Sequence, residues 1–114
     1  MSLQRARGLV GLGLRGRLAI VGVQQVRDAA KRGKLKLALV APDASANSLD
    51  KVVPLLRARR VRTVEAFSAA DLGRMCGRES VAVIGIVDAG LARGIRAAAS
   101  DTEPSERDAA ASRD

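Results

Sequence analysis

Apolar positions recur along this chain in two alternating rhythms. Residues 3–14 carry Leu9, Val10 and Leu14 on one side, the spacing of an amphipathic helix, although three glycines interrupt it. Leu18 to Val21 is a short apolar run that Gly22 breaks, which predicts a strand. Val23, Val26 and Ala30 then return at helical spacing over 23–32, with Gly33 as the stop. Leu35 to Ala41 is apolar except at Lys36, the pattern of a strand covered on both faces. Ser48 is expected to cap a helix with Leu49, Val52, Val53 and Leu56 inward, in which Pro54 marks either a kink or the true first turn.

The second half repeats the pattern. Residues 61–67 alternate and predict a strand, Ser68 with Asp71 resembles a capping box, and Gly77 ends the short helix that follows. Val81 to Val87 predicts a fourth, fully buried strand, and Asp88 caps a last helix with Leu91 and Ile95 inward. The order α-β-α-β-α-β-α-β-α predicts an α/β fold, a three-layer α/β/α sandwich around a mostly parallel, four-stranded mixed sheet. A single domain is expected over 1–98. Residues 99–114 have few large apolar groups to offset ordering entropy and are expected to form a disordered acidic tail.

Composition sharpens this picture. With one aromatic residue, Phe67, the core must be built from Leu, Val, Ile and Ala. The formal charge of +8 divides unevenly: residues 1–98 carry +11 and residues 99–114 carry −3. A compact body this basic attracts polyanions, of which nucleic acid is the commonest in a cell. No apolar run approaches the roughly 20 residues of a membrane span, so no membrane partner is expected. Cys76 stands alone, excluding an intramolecular disulfide and a multi-cysteine metal site, and fits a cytoplasmic location.

Catalytic chemistry finds little support. His and Tyr are absent, which removes His-based triads and metal sites and phenolic acids. Cys76 has Arg74 and Arg78 nearby but reads better as a small buried hydrophobe than as a nucleophile. Gly11, Gly13 and Gly16 have the spacing of a dinucleotide-binding fingerprint, yet no strand precedes them, no helix follows, and the acidic residue due about 20 positions on is replaced by the stretch around Lys36. The chain is therefore expected to be non-enzymatic, without cofactor or metal.

The chemistry that stands out begins at Gly22. A helix start offers free backbone N–H groups and a positive dipole end to phosphate oxygens. Gln24 and Gln25 add amides suited to base edges, and Arg27, Lys31 and Arg32 add charge for a nucleic-acid backbone.

Three stretches, GLVGLGLRGRLAIVGVQQV, AAKRGKLKLALVAPDAS and FSAADLGRMCGRESVAVIGI, resemble in order and spacing the kink-turn RNA-binding ribosomal protein superfamily of L7Ae/L30e type, closest to its bacterial YlxQ-like branch. The resemblance covers roughly residues 8–98. It implies the sandwich fold and recognition of RNA bent at sheared G·A pairs, through a G-x-N-E-x-x-K motif at the start of the second helix. Gly22 keeps the glycine, Gln24 stands for the Asn, Gln25 for the Glu, and Asp28 for the Lys, with Arg27 adjacent. It further implies roles near RNA for Lys36, for Asp43 after a Pro42 that replaces a glutamate, and for the loop of Gly77, Arg78, Ser80 and Val81, which also holds Glu79. The expected function is non-catalytic binding of kink-turn-like RNA by a monomer, with the ribosome as a potential partner. The alternative is a protein-interaction module on the same fold. The Gly22 helix start, Lys36 and the Gly77 loop are expected to adjoin on one side of the sandwich.

Overall fold

The computed structural model describes residues 2–100 and is built from five helices and four strands. The elements are α1 (Ser2–Arg15), β1 (Ala19–Val21), α2 (Val23–Lys31), β2 (Leu37–Val40), α3 (Ala46–Ala58), β3 (Thr63–Val64), α4 (Ala69–Cys76), β4 (Val83–Ile86) and α5 (Ala89–Ser100). The sheet runs in the order β1-β4-β2-β3, with α2 and α3 on one face and α1, α4 and α5 on the other. No described helix is long and apolar enough to cross a membrane.

The alternation of side chains along β2 makes this a three-layer fold. Leu37 and Leu39 enter the core with Val10, Phe67, Leu72, Ile84 and Ile95, while Ala38 and Val40 enter the other with Val26, Val52 and Leu56. All four residues of β2, and all four of β4, are buried, which explains why both strands lack the polar alternation of a half-exposed strand. Gly85 in β4 admits α2 closely: a Cβ there would stand 2.6 Å from Leu35 and 3.3 Å from Val26.

The expected sandwich and mixed sheet are present, but the parallel majority is not. β4 pairs antiparallel with both β1 and β2, and only β2 and β3 are parallel neighbours. The cause is α4. Its eight residues span about 12 Å, and the chain leaves it where it entered: the Val81 N–H donates to the Ala69 carbonyl at 3.0 Å. The chain never returns across the sheet, so β4 starts at the end where β3 finished and runs in reverse.

Local expectations fare unevenly. Ser68 caps α4 through a 3.1 Å bond from the Asp71 N–H, and Asp88 caps α5 through a 2.8 Å bond from the Leu91 N–H. Gly77 ends α4 in the left-handed region. Ser48 is not the cap of α3: Ser45 is, accepting the Ser48 N–H at 3.1 Å, and Pro54 lies inside the helix, past its first turn. β3 shrinks from seven expected residues to two and lies at the edge of the sheet beside β2. The boundary expected at residue 98 falls inside α5, where Ala98 and Ala99 are buried against α1 and the sheet. The remainder of the expected acidic tail, residues 101–114, lies outside the described residues.

Candidate functional site

Because β4 runs in reverse, the chain segments leaving β1 and β2 and those entering β4 meet at one end of the sheet. The Gly22 N–H donates to the Val83 carbonyl at 3.1 Å and the Ala41 N–H to the Ala82 carbonyl at 2.9 Å. This brings the start of α2, residues 41–45 and the 77–82 loop side by side.

Gly22 makes the sharp entry into α2. Its φ of 104° and ψ of 153° belong to a region essentially closed to side chains. Gly22 provides no side-chain cap for the N–H groups of the first turn. Gln24 and Gln25 are exposed. The Gln24 side-chain amide donates to the Asp28 carboxylate at 3.0 Å, so the residue standing in the motif's lysine position holds the first glutamine. Arg27 is half-buried and its guanidinium donates to the Lys51 carbonyl, which ties α2 to α3.

The 77–82 loop is held by a feature that sequence reasoning missed. Gly73 lies inside α4, and a Cβ there would stand 2.7 Å from the Ser80 backbone N and Cα and 2.8 Å from the Arg78 carbonyl. The loop folds directly on the helix backbone. A glycine interrupting a helical pattern was the available signal. With Val81 buried, Gly77, Arg78, Glu79 and Ser80 remain exposed. Asp43 is engaged in structure: its carboxylate accepts the Ala69 N–H at 2.8 Å and joins the end of β2 to the start of α4.

The expected single patch divides in two. Lys36 precedes β2, its N–H donating to the Ile86 carbonyl at the far end of β4. Strand rise places it roughly 16 Å from Ala41. Lys31 and Arg32 also belong to the far end, since α2 is nine residues long and carries them about 13 Å from Gly22. The structure thus brings Gly22 at the start of α2 near Asp43, Gly77, Arg78, Ser80 and Val81 and separates Lys31 and Lys36 from them, while Gln25 and Asp28 line a groove with Arg32 and Lys34. A strand presents its two ends to opposite sides of the sheet, and position in sequence does not say which neighbours each end meets.

Cys76 is half-buried near the base of this loop. Burial pushes its thiol pKa up, and the Arg78 guanidinium pulls it down by less. That favours the protonated thiol over the nucleophilic thiolate. Among the described residues, no group of three or more Cys, Asp or Glu could hold a metal ion. A groove of about 400 Å³ between α1 and α4 is lined by Arg7, Arg15, Asp71, Arg74 and Met75. Arg7 and Arg74 there pair with Asp71 at 3.5 and 2.7 Å.

Residues 7–95 match the model of the ribosomal protein L7Ae/L30e/S12e/Gadd45 family. The chain is 36% identical over 90 residues to a protein of Enterococcus faecium named RNA-binding protein YlxQ, covering 79% of this chain and 86% of that one. It is 33% identical over 84 residues to the protein of the same name in Bacillus subtilis strain 168, covering 74% of this chain and 84% of that one. Among solved structures it is similar to a protein with unknown function from Bacillus halodurans C, with a TM-score of 0.74 and 28% identity, over 82% of this chain and 95% of that one.

Proposed function

The chain belongs to the ribosomal protein L7Ae/L30e/S12e/Gadd45 family, and on that premise we propose that it is a non-catalytic RNA-binding protein that docks irregular, kink-turn-like RNA, with the ribosome or translation as the setting. One observation carries the reading. The start of α2, which no side chain of Gly22 caps, lies beside the exposed 77–80 loop, joined through the Gly22 to Val83 hydrogen bond. N–H groups at a helix start suit phosphate oxygens, and the amides of Gln24 and Gln25 suit purine edges. The two similar proteins named RNA-binding protein YlxQ add support. Binding here selects a shape, because the groups on offer are mainly neutral donors and acceptors held by rigid elements.

The test compares a kink-turn RNA with a version whose G·A pairs are disrupted. Wild-type protein is expected to prefer the intact RNA, and the double variant Gln24→Ala/Gln25→Ala to lose that preference. Equal loss for both RNAs would remove the kink-turn reading.

A second reading, a protein-interaction module on the same fold, draws on the charge of this end, where Asp43, Glu65 and Glu79 outnumber Arg78. It predicts binding that ignores RNA shape altogether.

A further inference from the structure

The reversed β4 has a second consequence, at the other end of the sheet. The connectors entering β1, β2 and β3 all emerge there, as the register shows: Ala19 and Leu37 both pair with Ile86, and the Ala38 N–H donates to the Arg62 carbonyl at 2.9 Å. Those connectors, residues 16–18, 32–36 and 59–62, contain Arg17, Arg32, Lys34, Lys36, Arg59, Arg60 and Arg62 and no carboxylate. All seven cations are exposed. The one acid leaving β4, Asp88, is occupied in capping α5. Among the described residues, the ion pairs are those of Asp71 with Arg7 and Arg74, so the seven stand without carboxylate partners.

Their backbone geometry is an independent indication. α1, α2 and α3 end in the same closing turn: Leu18, Lys34 and Val61 donate to the carbonyls of Gly13, Ala29 and Leu56 at 2.7, 2.9 and 2.9 Å. This turn requires one left-handed residue, usually glycine. Gly33 fills the place after α2, but Arg17 with φ 62° and Arg60 with φ 57° fill it after α1 and α3. Arginine is a poor backbone choice there, and strain of this kind points to a task for the side chain. Crowding is felt by Arg96 as well, whose pKa is lowered by partial burial and then by the guanidinium groups of Arg62 and Arg93.

We propose that this basic end is a second RNA-binding surface, which grips the phosphate backbone of an A-form duplex without reading its sequence. It borders Gln25 and Asp28, which share a groove with Arg32 and Lys34, and it stands whether or not the start of α2 recognises a kink-turn. The arginines suit paired phosphate oxygens. From β1 across β4 and β2 to β3 the three connectors span about 14 Å, a row of charge instead of a single-ion pocket. A membrane surface fits less well: Phe67, the one aromatic residue, is buried, and the exposed large apolar side chains among the described residues are Leu12 and Leu18.

The test uses the full chain, a plain RNA duplex of about 20 base pairs, long enough for a backbone-binding domain, and phosphatidylserine vesicles. The variant Lys34→Gln/Lys36→Gln/Arg59→Gln/Arg62→Gln is expected to bind the duplex about a hundredfold more weakly near 0.1 M salt, and to lose about three to four from the slope of log affinity against log salt. Arg17→Gly/Arg60→Gly is expected to weaken duplex binding several-fold while unfolding at the same or a higher temperature, which no structural role for those arginines would give. Unchanged duplex affinity in both variants overturns the proposal. So does vesicle binding by the wild type that the quadruple variant loses while keeping its duplex affinity. The glutamine variant tested above is expected to bind the plain duplex as the wild type does, so failure of one site is distinguishable from failure of the other.

Discussion

The two ends of the β-sheet differ in how they are made. At the glutamine end, the connectors are fixed by backbone: Gly22 bonded to Val83, Asp43 bonded to Ala69, and the 77–82 loop lying on Gly73. They carry Arg78 against Asp43, Glu65 and Glu79. At the opposite end, three connectors of similar local geometry carry seven cations, two of them in positions that favour glycine. One end is shaped, with little charge, and the other is charged, with little shape. Net charge therefore does not locate a specific site in this protein, since most of the field originates away from the surface with the more defined form.

Substitutions that affect one end and spare the other test this contrast. The largest expected effect is that of Gly73→Ala, whose methyl would meet the Ser80 backbone at 2.7 Å. Overpacking of this kind costs about 1–3 kcal/mol, measurable as a lowered midpoint of chemical unfolding. Plain-duplex affinity of the folded fraction is expected to be unchanged. Next is Asp28→Lys, which releases Gln24 from its 3.0 Å bond and restores the cation of the family motif. Up to about tenfold tighter RNA binding is expected from one added charge contact. A gain confined to kinked RNA assigns the effect to the glutamine end, and an equal gain for a plain duplex assigns it to the general field.

Asp43→Ala removes the acceptor of the Ala69 N–H and is expected to cost about 1 kcal/mol, read by thermal unfolding, again without effect on the basic end. The smallest effect concerns Cys76. Burial raises its pKa beyond what Arg78 offsets, so alkylation at neutral pH is expected to be slower than that of a free cysteine and to accelerate at alkaline pH. A thiol with a raised folded-state pKa gives its full contribution below the unfolded pKa and loses it as pH climbs toward the folded value. Cys76→Ser should flatten that alkaline decline.

Much of the fold was legible in local pattern. Buried strands announced themselves as apolar runs, and Ser68, Asp88, Gly33 and Gly77 marked helix ends because capping is decided within a few residues. Ser45 was missed in favour of Ser48, since both stand before the same apolar stripe and only the β2 exit chooses between them. Of the candidate residues, Gly22 and the Gly77 loop lie at one end of the sheet, as expected. Arg27, Asp43 and Val81, also candidates, are occupied in holding the framework. Lys36, expected to adjoin the Gly22 start and the Gly77 loop, lies at the opposite end of the sheet, as does Lys31.

The sequence by itself determined the element order, the two-faced burial of β2 and β4, the lack of catalytic histidine and the basic character of the body. All of these depend on residue type or on spacing within a few positions. Only the tertiary structure decided strand direction. The chain leaves the short α4 beside where it entered, with Val81 bonded to Ala69, and β4 runs antiparallel to β1 and β2, which sends every connector to one end of the sheet or the other. Pairing between distant segments is settled by packing and chain closure, which local pattern does not encode.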